Sequence, residues 1–219
     1  PPPLPSLPSS SPSPSSPPPP TPSPPPPPPS LPAPPAPPAH HVYRFRFTEV
    51  RTGPYDGIQL SAVGLLDLEG RLIPVEDISN PGGSSPRAQG PERLLDYQSM
   101  PPGPSVADTL SSNTGKWFDG NFVGNGESVL ELTLSSAETV GGYRLVTAND
   151  VSRRDPVSWT LEAMQQSGTA TYVLHSISRG HAPITRGELY HGFHLDGPPP
   201  IAPPPASPAP PTPPPAPPS

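Results

Sequence analysis

The chain has 219 residues, and 47 of them are proline, roughly four times the ordinary share of about 5%. Its 12 Lys+Arg and 18 Asp+Glu give a formal net charge of −6, and all of these residues lie between Arg44 and Asp196. A mildly acidic chain without a basic stripe is unsuited to counterion-release binding of nucleic acid, and it lacks the polybasic run that holds a protein to anionic lipid.

No stretch approaches the roughly 20 apolar residues needed to span a bilayer, so no membrane insertion is expected in this segment. With no cysteine, disulfides and thiolate metal sites are excluded. The first residues, Pro1-Pro2-Pro3, carry neither an initiator Met nor a signal-peptide pattern, and the expectation is an excerpt from a longer chain. Residues 1–39 hold 23 prolines and residues 198–219 hold 14, whereas the 158 residues between them hold 10. The predicted organisation is a proline-rich tract over 1–39, a folded domain over 40–197 and a second tract over 198–219. A domain of that size can bury its own core without staples.

In the leading tract, proline fixes its own φ and drives the preceding residue out of the helical region, so Pro17, Pro18, Pro19 and Pro20, then Pro24, Pro25, Pro26, Pro27, Pro28 and Pro29, predict an extended polyproline II rod. At about 3.1 Å per residue this tract reaches on the order of 120 Å and the trailing one about 70 Å. Such a rod has no internal hydrogen bonds and no core, so anything that orders it must be attached to it or packed around it. Three readings compete: a flexible interdomain linker, a ligand for SH3, WW or profilin-type domains, and a proline-hydroxylated, O-glycosylated rod. The tract has no Arg or Lys to orient SH3 docking.

From Val42 the pattern changes to period two, with Tyr43, Phe45 and Phe47 alternating with Arg44, Arg46 and Thr48, as in a half-buried strand. Further strands are predicted at Gly57–Leu65, Val129–Leu134, Tyr143–Thr147, Val157–Ala163, Thr171–Ile177 and Gly192–Leu195, with one short helix over Gln89–Tyr97. Turn residues cluster between them, as at Asn80-Pro81-Gly82-Gly83 and Asp119-Gly120-Asn121. Roughly eight short strands joined by long loops predict an all-β sandwich. In the trailing tract, Pro203, Pro204, Pro205, Pro213, Pro214 and Pro215 repeat the rod pattern with small Ala interruptions.

Two resemblances follow. The ordered series Lys116-Trp117-Phe118-Asp119-Gly120, then Tyr143-Arg144-Leu145-Val146-Thr147-Ala148-Asn149-Asp150, then Arg154-Asp155-Pro156-Val157-Ser158-Trp159-Thr160-Leu161-Glu162-Ala163 resembles the galactose-binding-like domain, the discoidin or coagulation-factor 5/8 type C family. It implies an eight-stranded antiparallel jelly-roll sandwich, an extracellular adhesion or carbohydrate-binding module without catalysis of its own. Family members often carry large aromatics where this chain reads Glu127-Ser128-Val129 and Gln165-Gln166-Ser167, which departs from a sugar-stacking site. Ser16 before Pro17 and Ser23 before Pro24 resemble the Ser-Pro-run motifs of extensins and other hydroxyproline-rich glycoproteins of plants and green algae, including those of cell walls and ciliary mastigonemes. That likeness implies hydroxylation and glycosylation of the proline runs named above.

Candidate ligand contacts are Trp117 as a stacking platform, Asp119, and Arg153 and Arg154 as a clamp for hydroxyls or a carboxylate. Each has a structural alternative: core packing for Trp117 and Trp159, and loop fixing for Arg154 and Asp155. The pairs His40/His41 and His191/His194 stand near the two ends of the domain, but a zinc site needs three or four convergent ligands. Asp96, Asp108, Asp119 and Asp150 are read as solvated loop carboxylates or as ligands of the calcium that some family members hold, although no EF-hand-like loop is present. No G-x-S-x-G, phosphate-cradling glycine motif or N-x-S/T acceptor occurs, so no enzyme activity and no cofactor are expected, and any sugar must be O-linked. The expected partners are glycans and other subunits of an extracellular assembly. The competing reading is a lectin-like, carbohydrate-binding module on proline-rich spacers.

Overall fold

A computed structural model describes residues 38–52, 56–165 and 171–195. The proline runs singled out above lie outside the described residues. The described part is built mostly of antiparallel β-sheet with few helices.

Strand β1 (His40–Val50) sits at the centre of a five-stranded sheet, hydrogen-bonded on one side to β7 (Ser128–Glu138) and on the other to β9 (Pro156–Met164). The alternation read from the sequence sets the register. Phe45 lies opposite Leu130 and Leu161, and Tyr43 opposite Leu132 and Ala163, with all six side chains buried on the inner face. On the outer face Arg44 lies opposite Glu131 and Glu162, and it forms ion pairs with both. The sheet is completed by β5 (Asp77–Ser79) beyond β7 and by β10 (Thr171–Ile177) beyond β9.

A second sheet has the order β11 (Phe193–His194), β8 (Gly142–Val146), β3 (Ala62–Leu66), β4 (Leu72–Ile73). Tyr143 and Leu145 of β8, with Val63 and Leu65 of β3, join the aromatic residues of β1 in one core, where the Phe45 and Tyr143 rings meet edge-on at 5.1 Å. Burying a side chain of this size contributes roughly 1.5–3 kcal/mol, so these few residues dominate the fold's stability.

Strand β3 is buried on both faces. Its second face carries Ala62, which with Val146 of β8 packs against Tyr97 and Leu110. Tyr97 belongs to a 3-10 helix, Pro91–Ser99, in which Leu94 and Tyr97 are buried three residues apart, as three residues per turn requires. This is the helix expected over Gln89–Tyr97, displaced by two residues to begin at Pro91. Leu110 belongs to α1 (Val106–Ser111), whose N-cap Ser105 accepts from Asp108 N–H at 3.1 Å.

The expected strand over Gly57–Leu65 divides at Ser61. Before it, β2 (Ile58–Leu60) pairs with β6 (Trp117–Asp119) as a two-stranded ribbon; after it, β3 pairs with β8. At the division, Ser61 N–H donates to Val146 O, and its hydroxyl donates to Gly115 O at 2.9 Å. With the two- and three-residue pieces β4, β5 and β6, the described residues carry eleven strand segments, where roughly eight short strands were expected.

Candidate functional site

The residues proposed from sequence gather at the end of the domain formed by the β2–β6 ribbon and the turn before β9, but most are committed internally. Trp117 is fully buried, packed against Phe47 at 6.1 Å between ring centroids, and offers no face to a sugar. Trp159 is likewise internal, edge-on to Tyr190 and Phe193. Its indole N–H donates to the Tyr143 hydroxyl at 2.8 Å, which lies 2.7 Å from Nδ1 of His175. Burial pushes the Tyr143 phenol far above its usual range.

Asp119 is also fully buried, which corrects its reading as a ligand contact. Its Oδ1 accepts from the backbone N–H groups of Ser84 and Asn121, both at 2.9 Å, and its Oδ2 accepts from the Ser128 hydroxyl. Three of the roughly four acceptor sites of this buried carboxylate are taken by protein donors, and it fastens three segments of chain together.

Arg154 is bound to Asp56 and lies 4.5 Å from the Phe118 ring centroid, a cation–π position. The Arg154 guanidinium holds the Asp56 carboxyl below its ordinary value, and Asp56 raises the Arg154 guanidinium in return. Arg153 is exposed on the same turn. The next residue, Asp155, is fully buried and is paired with two arginines. Arg186 grips it with two hydrogen bonds of 2.8 and 2.7 Å, and Arg51 adds a third of 2.9 Å. The same two guanidiniums donate to the carbonyl of Pro183, so one carboxylate ties the ends of β1, β9 and the loop after β10. This is the loop-fixing alternative for Asp155.

The remaining candidates do not converge. Asp96 stands 3.5 Å from Arg93, Asp108 accepts from Ser105, and Asp150 is bound to Lys116, while no group of three or more metal-ligating side chains occurs among the described residues. The histidine pairs do mark neighbouring ends of the domain. His40 is opposite Glu138, the last residue of β7, whereas His194 is opposite Gly142, the first residue of β8. Tyr43 donates to Glu138 O at 2.6 Å, and Leu195 N–H donates to Gly141 O at 3.0 Å. The domain is therefore entered and left beside one turn, residues 138–142.

A site that sequence reasoning missed lies at the other end of β1. Phe47 pairs with Trp159 and Glu49 with Ser158, which leaves Thr48 as an extra residue in a β-bulge. Unbroken alternation after Phe47 would aim Glu49 at the core; the bulge turns it outward beside Ser158. The Ser158 hydroxyl donates to Glu49 Oε2 at 2.7 Å and accepts from Arg179 N–H at 3.0 Å, and the Arg179 guanidinium stands 3.2 Å from Glu49 Oε1. The hydrogen bond from Ser158, with Arg179, holds the Glu49 carboxyl below its ordinary range. Two adjoining clefts, of about 290 Å³ and 570 Å³, share Glu49 as a wall. No local sequence signal marks this site, because the bulge depends on how β1 pairs with β9.

Comparison of the chain with family models, with curated proteins and with solved structures found no match. The functional reading accordingly rests on the residues and their geometry.

Proposed function

We propose that this chain is a segment of an extracellular structural glycoprotein. In this reading the proline tracts are hydroxylated, O-glycosylated polyproline II rods, and residues 40–197 form a galactose-binding-like jelly roll that serves for packing or adhesion against neighbouring subunits and glycans. The partition of the chain supports it: two uncharged proline tracts flank a domain that carries every Lys, Arg, Asp and Glu. The sheets of five and four antiparallel strands around one aromatic core are in keeping with a jelly roll.

The observation that carries the reading is the position of the domain's ends beside the 138–142 turn. The first and last described strands, β1 and β11, both have an end beside this connection. From His40 to Glu49 is about 30 Å at roughly 3.3 Å per strand residue, so the loops around Glu49 and Asp155 stand well away from the points of attachment.

Residue-level mass spectrometry of the source-purified protein over Pro17–Pro29 tests the proposal. Hydroxylated, sugar-bearing prolines are the expected result; unmodified prolines throughout would remove the glycoprotein role.

A further inference from the structure

We infer that the domain associates head to tail with a second copy of itself, the Ile184 side chain at one end entering the cleft beside Leu68 at the other. The inference rests on the packing role proposed above and names the partner and the surfaces. Ile184 is the most exposed large apolar side chain among the described residues, at 88%. Single exposed apolar residues are ordinary. This one is held: Arg51 donates to Ala182 O at 3.1 Å, Arg186 donates to Pro183 O at 3.0 Å and to Ile184 O at 3.4 Å, and the Thr147 hydroxyl donates to Thr185 O at 3.1 Å. With four successive carbonyls bound, a side chain carried on this backbone loses little further entropy when a partner closes over it.

The cleft holds about 180 Å³ between the β3–β4 hairpin and the 138–142 turn, with Leu66, Leu68, Gly141, Gly142 and His194 in its wall. That is well under the roughly 300 Å³ at which small-molecule pockets begin, and it suits one aliphatic side chain. Leu68, at 61%, is second to Ile184 in exposure, so the two most exposed large apolar residues lie on the two surfaces that would meet.

Charge selects the same pairing. Beside Ile184, Arg51 and Arg186 share the one carboxylate of Asp155; at the cleft, Asp67 and Glu69 share the one guanidinium of Arg71. One surface has an arginine in excess and the other a carboxylate, so unlike ends attract and like ends repel. Elsewhere at the Ile184 end, Glu188 is offset by Arg153, and Arg179 by Glu49.

Position makes the contact serial. Pro183 O is bound by Arg51, one residue past the end of β1, whereas the cleft adjoins the turn that His40 faces at the beginning of β1. The two ends of this strand are about 35 Å apart at roughly 3.3 Å per residue. A projection at one end and a recess at the other give a heterologous contact, which leaves one of each unfilled and repeats from copy to copy.

The full 219-residue chain is followed over a concentration series by small-angle X-ray scattering and methyl NMR. Mass is expected to grow past the dimer with a dissociation constant on the order of 1 mM, the range in which tethering makes a weak contact effective. Ile184→Asp and Leu68→Gln, both at exposed positions that keep the fold, should each weaken association about tenfold or more. An equimolar mixture of these two variants should form a 1:1 dimer and go no further, since one retains the cleft and the other the projecting side chain. Val173→Gln, on the edge strand β10, should change nothing. The inference is overturned by a chain that stays monomeric, as it would if its own residues after Leu195 filled the cleft, by growth that stops at the dimer, by a mixture that fails to pair, or by association lost in Val173→Gln. Mass spectrometry of the proline tracts bears on the glycoprotein role alone, so the two proposals fail separately.

Discussion

The residue that most repays attention is Asp155. A fully buried carboxylate is tolerated only because two guanidiniums desolvate with it and satisfy its lone pairs. Removing the carboxylate strands Arg51 and Arg186, both less than a third exposed, against one another. Asp155→Ala is expected to destabilise the domain by about 3 kcal/mol, measured by urea unfolding, because a broken buried ion pair leaves an uncompensated charge. Asp56 makes a different prediction. Its folded pKa is depressed, chiefly by the hydrogen bond from Arg154. Its contribution to stability is therefore complete above the unfolded value, about 3.9, and is lost as pH falls through the lower folded value. Glu49 shifts in the same direction, with the Ser158 hydrogen bond as its main cause. Melting temperature should fall below about pH 4, and Asp56→Asn should flatten that decline while lowering stability at pH 7.

At the scale of elements, a tight crossing lies where β11 meets β8. A methyl group at Gly142 would stand 2.6 Å from Phe193 O, and its nearest neighbours are all backbone atoms of β11, with no flexible side-chain end to give way. Gly142→Ala is expected to cost about 1–3 kcal/mol by overpacking and to speed amide exchange across Phe193–His194 while the β1–β7 ladder keeps its protection. The elements also show what was legible in the sequence. β1, β7 and β9 each bury one face, so Tyr43-Arg44-Phe45-Arg46-Phe47 and its counterparts show period two directly. β3 is covered on both faces by layers remote in sequence, and its junction with β2 is a change of partner at Ser61 that no local pattern encodes. β4, β5 and β6 span two or three residues, too few for alternation to register. Among candidate sites, the aromatic and acidic residues were visible by type, but type does not distinguish a Trp in the core from a Trp on a surface. Glu49 was hidden because a bulge at Thr48 overrides the parity that the residues before it establish.

At the scale of the whole molecule, the chain has no cysteine, which allows a single pair to be introduced without background. Spin labels at Ala39→Cys and Leu195→Cys should show strong dipolar broadening, because His40 and Leu195 both sit beside the 138–142 turn. Loss of that broadening with the domain still folded would refute a shared point of entry and exit. Neighbouring ends have one further consequence. A domain whose first and last described strands end beside one short connection can be spliced into a continuous chain, or excised from it, with only a modest change in the distance between the flanking residues.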